Sequence, residues 1–391
     1  MRMPGYLGAV FLCSLLITVT TVAPPGWAAS DASVAAGSTS VTPPVLSARA
    51  AVLMDFETGM VLWEKNAYVP MDPASTTKIM TAIVAIELGD PRDEVTVSRT
   101  ATIVSGSRMG IAAGEVYTLD DLLHGLMMAS GNDAALAIAQ YIGGSVENFV
   151  ALMNKKAVAL GAIHTHFQNP HGLTAPGHKT TAYDLALITA YAMRNPYLVR
   201  LVSTTQYTVF PLQGRSPYTL YNTNRLLDFF PGANGIKTGT TARAGQCLVS
   251  SATRSGWRLI GVVLHSGDRW GDSARLLEWG FANFMPVVAG REDDFMRSLP
   301  VAGGRVRYLP VQLDKDLVAV VPKKWADTVV IQVELPTRLA APVQAGQVVG
   351  QASLVVNGRP LARAALSVRA GTAKWSVLSS VWYWLQEKWA G

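Results

Sequence analysis

The chain changes its hydrophobic rhythm several times, and each change marks a different kind of element. Arg2 precedes an apolar run from Leu7 to Val22, which ends before Pro24-Pro25 and Gly26-Trp27-Ala28. A basic start, a short apolar core and small residues at its end predict a secretory signal peptide over 1–28. The competing reading is an uncleaved membrane anchor, for which the run is short. Residues 29–45, rich in Ala, Ser, Thr and Pro, read as a flexible leader. Beyond them, the β-prone runs Ala50–Met54 and Met60–Trp63 flank Glu57-Thr58-Gly59, a hairpin signal. Pro70 and Pro73 then lead into helical periodicity at Ile79, Met80, Ile83, Val84, Ile86 and Leu88, stopped by Gly89.

The same period returns at Leu119, Leu122, Leu123 and Leu126, and again from Ala134 to Ile142. It gives way to strand-like segments over Gly235–Thr240, Gln246–Thr253 and Trp257–Leu264, with a turn at Arg254-Ser255-Gly256. Strands at both ends with helices between them predict an α+β domain whose sheet is closed by distant parts of the chain. From Arg305 to Val368 short runs such as Leu317–Val320, Val329–Ile331 and Leu354–Val356 alternate with turns like Asn357-Gly358, predicting a small all-β domain over 300–370. In the tail, 373–391, Trp375, Leu378, Trp382, Leu385 and Trp389 fall on one helical face. That pattern fits a helix lying on a membrane surface, too short and polar to span it; docking on the chain's own β domain or on a partner is the alternative.

Composition narrows this picture. With 391 residues and 49% hydrophobic content, the chain can fill two folded units. The formal charge of +6 comes from scattered cations rather than a basic run, so nucleic acid is not an expected partner and an anionic cell surface is. Cys13 lies in the signal segment, leaving Cys247 alone in an apolar stretch as a buried structural thiol. His164, His166, His171 and His178 cluster in sequence, but no Cys or Glu joins them and Asn169-Pro170-His171-Gly172 reads as a turn. No metal or other cofactor is expected.

The candidate chemistry sits in three polar clusters: Ser75-Thr76-Thr77-Lys78, Ser130-Gly131-Asn132 and Lys237-Thr238-Gly239. Ser75 falls near a helix start, with Lys78 three residues on and so on the same face. A serine hydroxyl needs an adjacent base, and a lysine serves only if burial or a second cation such as Lys237 keeps it neutral. Ser130 and Asn132 occupy a loop between helices, where Ser130 can relay a proton and Asn132 can bond an amide. On its strand edge, Lys237 with Thr238 can hold a carboxylate, Gly239 can admit a substrate backbone, and Thr240 can complete an oxyanion hole. Each cluster alone also reads as an ordinary helix cap or solvated face.

In this order the clusters form the signature shared by penicillin-binding proteins and class A β-lactamases. The chain resembles the low-molecular-mass penicillin-binding proteins of the D-alanyl-D-alanine carboxypeptidase type. Further matching contexts are Ser107-Arg108-Met109-Gly110, Asn132-Asp133-Ala134, Asn169–Leu173 and Gly235–Gly239. The resemblance spans nearly all of the mature chain and implies a transpeptidase-like catalytic domain over 46–290, with an antiparallel sheet, flanking helices and a helical subdomain. It also implies Ser75 as acylated nucleophile, Lys78 as base, Ser130 and Asn132 as partners across the cleft, and Lys237, Thr238 and Gly239 on the strand side. Arg269 resembles an arginine that helps hold the terminal carboxylate. The implied substrate is a peptidoglycan stem peptide ending in D-Ala-D-Ala, with β-lactams as covalent inhibitors, at the outer face of the cytoplasmic membrane.

Two alternatives stand beside this reading. A class A β-lactamase needs a glutamate to activate the deacylating water. Glu147 is the sole glutamate between Asn132 and Lys237, and it follows the triplet too soon. The other alternative is a catalytically idle, membrane-attached peptidoglycan-binding protein, against which the intact clusters argue.

Overall fold

A computed structural model describes residues 42–375. The expected signal peptide, nearly all of the leader and the tail beyond Trp375 lie outside them. Two units divide the chain between Ala282 and Asn283.

The first unit opens with the expected hairpin, β1 (Ala50–Asp55) and β2 (Val61–Lys65). Gly59 supplies the left-handed turn position at φ 70°, and the Asp55 carboxylate accepts from Thr58 N–H at 2.8 Å. A 3-10 turn, Ala74–Thr77, runs directly into α1 (Lys78–Leu88). A small ladder of β3 (Glu94–Thr96) and β4 (Val116–Thr118) leads to α2 (Leu119–Met127), α3 (Asn132–Gly143) and α4 (Val146–Ala159). Helices α5 (Ala182–Ala192) and α6 (Pro196–Ser203) follow, then the hairpin β5 (Gln206–Val209) and β6 (Tyr218–Tyr221) and the single turn α7 (Leu226–Phe229). Strands β7 (Ala233–Thr241), β8 (Gly245–Arg254) and β9 (Trp257–Ser266), and helix α8 (Arg269–Asn283), complete the unit.

The main sheet has the order β2-β1-β9-β8-β7, antiparallel between the neighbours described here. Its closure by distant parts of the chain is as expected: Leu53 of β1 pairs with Gly261 of β9. The sheet is covered on both faces, which is why every residue of β1 is buried. Val52, Met54, Ile260 and Val262 join the helical core, while Gly280 of α8 brings its backbone against Leu53 and Leu259 on the other face. β7 is an edge strand, as the three-strand reading required.

The Asp272 carboxylate, fully buried, fixes how the chain enters this unit. It accepts from Ser47 Oγ at 2.7 Å, Ala48 N–H at 2.8 Å and Ser266 Oγ at 2.6 Å. Those donors hold its pKa below the ordinary carboxylate range against the opposing effect of burial.

The second unit is all β, as expected. β10 (Phe284–Gly290) pairs with β13 (Leu317–Pro322). A six-stranded sheet has the order β14-β16-β17-β12-β11-β15, built from β11 (Phe295–Ala302), β12 (Tyr308–Leu313), β14 (Val329–Glu334), β15 (Leu339–Ala340), β16 (Val348–Val356) and β17 (Arg359–Val368). The boundary differs from the 46–290 and 300–370 division read from sequence, because β10 and the start of β11 belong here. Met285, Val287 and Ala289 alternate onto this unit's core, a period-two pattern that Pro286 and Gly290 obscure in the sequence.

Candidate active site

Ser75 sits in the 3-10 turn ahead of α1, preceded by Ala74 at φ 48°. A left-handed alanine costs about 1–3 kcal/mol and persists only where its surroundings enforce it. Three elements do so. Thr77 Oγ donates to the Ala74 carbonyl at 2.8 Å. A Cβ added to Gly172 would lie 1.8 Å from the same carbonyl oxygen, so the 169–173 loop presses on the turn. On the opposite side a Cβ on Gly239 would lie 3.1 Å from Ser75 N and from Ala74 Cβ. The role read for Gly239 is therefore refined: its missing side chain admits the turn that carries Ser75 against β7.

Two of the clustered histidines explain how this turn is locked. His178 Nδ1 accepts from Gln168 N–H at 2.9 Å, so the proton is on Nε2, which faces Thr77 Oγ at 2.9 Å. Burial lowers its pKa to about 4 and that of His171 to about 3, keeping both rings neutral. The Asn169 side chain closes the loop turn by accepting from Gly172 N–H at 2.7 Å, and Thr81 Oγ donates to the Pro170 carbonyl at 2.6 Å. Among the described residues no group of three or more His, Cys, Asp or Glu side chains could hold a metal ion.

Lys78 is fully buried at the start of α1. Its Nζ lies 2.6 Å from Asn132 Oδ1, 2.7 Å from the His171 carbonyl and 3.0 Å from Ser75 Oγ. Burial lowers its pKa well below the lysine range, and the Lys237 charge lowers it further, against an opposing pull from Asp133. A neutral amine has two N–H donors and one lone pair. The two carbonyl oxygens can only accept, so they take both donors and the lone pair is left for the Ser75 hydroxyl proton. This is the geometry of a general base beside a nucleophile.

Ser130 stands in the short connection between α2 and α3 at φ 58°, nearly buried at 6% exposure, and among the described residues its hydroxyl has no hydrogen-bond partner. Asn132, which opens α3, spends Oδ1 on Lys78 and one amide hydrogen on the Ser105 carbonyl at 2.6 Å. It thus orients the Lys78 amine, a task the sequence reading did not give it, and its second amide hydrogen has no partner among the described residues. Asp133, missed as a working residue, explains the Ser107–Gly110 context. Its buried carboxylate accepts from the N–H groups of Met109 and Gly110, each at 2.8 Å, fastening that loop to α3.

On β7, Lys237 is 1% exposed and among the described residues has no carboxylate partner, its closest hydrogen-bond contact being Thr238 Oγ at 3.4 Å. Thr238 Oγ meets Thr223 Oγ at 3.1 Å, and Thr223 bonds the Met128 carbonyl, tying the strand to the connection that carries Ser130. Arg269, at the start of α8, donates to the Gly239 carbonyl at 3.0 Å and to Thr240 Oγ at 2.7 Å, placing a guanidinium beside exposed Thr240. Burial, helped by Arg269, lowers the Lys237 pKa to about 7. An unpaired buried cation is costly, and a carboxylate ligand would relieve that cost.

A pH dependence follows. If Lys237 holds a substrate carboxylate, raising the pH through about 7 strips its proton from the free enzyme, so kcat/KM falls about tenfold per pH unit while kcat at saturation changes less. The sign for stability is opposite. Between pH 7 and the unfolded-state lysine value of 10.5 the folded chain holds fewer protons than the unfolded one, so stability rises with pH across that window. Lys237→Met should abolish the kcat/KM dependence and flatten the rise in Tm from pH 7 to 10; a Tm profile unchanged from wild type would contradict the depressed pKa.

Elsewhere, Cys247 is fully buried on β8, its thiol pushed up to about 11 by burial, as expected of a structural cysteine. Glu147 lies exposed in the first turn of α4 and makes no contact with the serine, lysine or asparagine side chains above.

A buried lysine locked onto a serine, with a buried strand lysine close enough to depress its pKa, defines a serine acyl-transfer enzyme of the penicillin-binding type. Residues 37–267 match the D-alanyl-D-alanine carboxypeptidase family, and residues 288–371 match the C-terminal domain of penicillin-binding protein 5. The chain belongs to the D-alanyl-D-alanine carboxypeptidase family. It is 32% identical to the D-alanyl-D-alanine carboxypeptidase DacF of Bacillus subtilis, over 84% of this chain and 86% of that protein. It is 34% identical to DacC of Escherichia coli, over 89% and 90%. The crystal structure of penicillin-binding protein 5 from Haemophilus influenzae superposes with a TM-score of 0.77 at 32% identity, covering 85% of this chain and all of that one.

Proposed function

We propose that Ser75 is the acylated nucleophile of a carboxypeptidase that removes the terminal D-alanine from peptidoglycan stem peptides. Lys78 takes the hydroxyl proton as Ser75 Oγ attacks the carbonyl between the two D-alanines, and the C–N bond breaks as Ser130 passes a proton to the leaving amine. Water then hydrolyses the ester, releasing the shortened peptide. Lys237, Thr238 and Arg269 hold the terminal carboxylate, Asn132 bonds the penultimate amide, and Thr240 contributes to the oxyanion hole. The observation that carries this reading is the Lys78 amine, whose two donors are committed to Asn132 and the His171 carbonyl with Ser75 Oγ at 3.0 Å. β-Lactams would acylate the same serine and leave slowly, since Glu147, the one glutamate between Asn132 and Lys237, lies exposed in the first turn of α4 rather than at Ser75.

The signal pattern over 1–28 and the tryptophan spacing of the tail support export and attachment to the outer face of the cytoplasmic membrane. The test of the chemistry is D-alanine release from a D-Ala-D-Ala peptide measured beside β-lactam turnover. Wild type should release D-alanine and form a stable penicillin adduct on Ser75, and Ser75→Ala should do neither. Rapid antibiotic hydrolysis without D-alanine release would make the chain a β-lactamase, and an adduct without release an idle binder.

A further inference from the structure

One end of the second unit carries a feature that the acyl-transfer chemistry does not use. The connection between β11 and β12, residues 303–307, pairs with the last described residues of the chain. Trp375 N–H donates to the Gly303 carbonyl at 2.7 Å, and Arg305 N–H donates to the Ala373 carbonyl at 3.2 Å. Thr372 Oγ accepts from Arg305 N–H at 3.1 Å, so this corner is built by backbone bonds rather than left loose. It brings together three exposed apolar side chains, Val306, Tyr308 and Trp375. Arg305, Arg307 and Lys374, all exposed, alternate with them.

The charge is one-sided. Neither 295–313 nor 335–375 contains a single Asp or Glu. The nearest acidic turns, 292–294 and 314–316, flank the opposite ends of β11 and β12. Aromatic rings ringed by cations suit the headgroup layer of an anionic bilayer, where Trp and Tyr settle and Lys and Arg meet lipid phosphates. The tail with its tryptophan spacing leaves the unit at this same corner.

We propose that the corner formed by residues 303–308 and 372–375 docks directly on an anionic lipid surface. It acts beside the tail and fixes how the β unit stands on the membrane. This rests on the membrane attachment proposed above. Each cation at such a surface raises partitioning about fivefold, so removing three lowers it about a hundredfold.

The test compares the full chain with Arg305→Gln/Arg307→Gln/Lys374→Gln and with a chain ending at Trp375, by sedimentation with phosphatidylcholine or mixed phosphatidylcholine–phosphatidylglycerol vesicles. Unchanged D-alanine release from a soluble peptide checks that the variants fold. The triple variant should lose about two orders of magnitude of binding to the mixed vesicles and little to phosphatidylcholine. Wild-type binding should weaken with added salt. Undiminished binding of the triple variant overturns the corner while leaving the tail reading intact. Loss in the triple variant with none on tail removal keeps the corner and overturns the tail, and a wild-type chain that binds neither vesicle overturns both.

Discussion

Lys78→Met is expected to slow acylation of Ser75 by about 10³- to 10⁴-fold while leaving the fold in place. The effect is large because a serine hydroxyl at neutral pH needs a base, and among the described residues Nζ at 3.0 Å is its hydrogen-bond contact. The fold survives because two effects offset. Methionine fills the volume without the cost of burying an amine, but it strands Asn132 Oδ1 and the His171 carbonyl, each worth about 1–3 kcal/mol when left unpaired in the interior. Stopped-flow acylation by a penicillin, followed beside a thermal melt, separates the two. A wild-type acylation rate would remove Lys78 from the role of base.

Gly172→Ala should be nearly as damaging for a purely steric reason. The added Cβ would sit 1.8 Å from the Ala74 carbonyl oxygen and 2.9 Å from Ser75 N, both backbone atoms, at φ 91°. Something must move, and what lies nearest is the turn that carries Ser75. Overpacking and left-handed strain together predict a loss of about 2–4 kcal/mol in stability. A displacement of the serine of about 1 Å predicts a further loss of roughly 10²-fold in acylation. Gly59→Ala is the control: it has the same left-handed backbone at φ 70° with nothing within 4 Å of the new Cβ, so it should lower Tm slightly and leave acylation alone. Equal effects of the two substitutions would show that strain, not contact with the turn, is responsible.

The candidate site was legible because it depends on spacing within single elements. A serine and a lysine three apart on a helix must share a face, and a lysine, threonine and glycine on an edge strand must line it. What lay hidden depends on contacts between elements. Nothing in the sequence around Ala74 or Ser130 announces a left-handed backbone, because it is imposed on Ala74 by Gly172, Gly239 and Thr77 from outside. Asp133 reads as a helix-start acid until the Met109 and Gly110 amides are seen to converge on it. The sequence points Asn132 at a substrate amide, and only the structure turns its carbonyl oxygen toward Lys78. The misplaced unit boundary has the same origin: β10 alternates weakly, and its assignment rests on pairing with β13.

The strand order also bears on how the protein comes into being. β1 and β2 are made first, yet β1 sits between β2 and β9, and its second partner is made only after more than half the chain. Such a topology folds slowly, because a long loop must close before its pairing is rewarded. Until β9 arrives, Val52, Leu53 and Met54 present an apolar, unpaired strand edge, the kind that joins to neighbouring molecules. The turn bearing Ser75 is braced by β7 and by the 169–173 loop, so it too waits on late parts of the chain. The newly made protein should therefore react with penicillin only when its sheet is closed, which makes acylation a direct clock for the final step of folding.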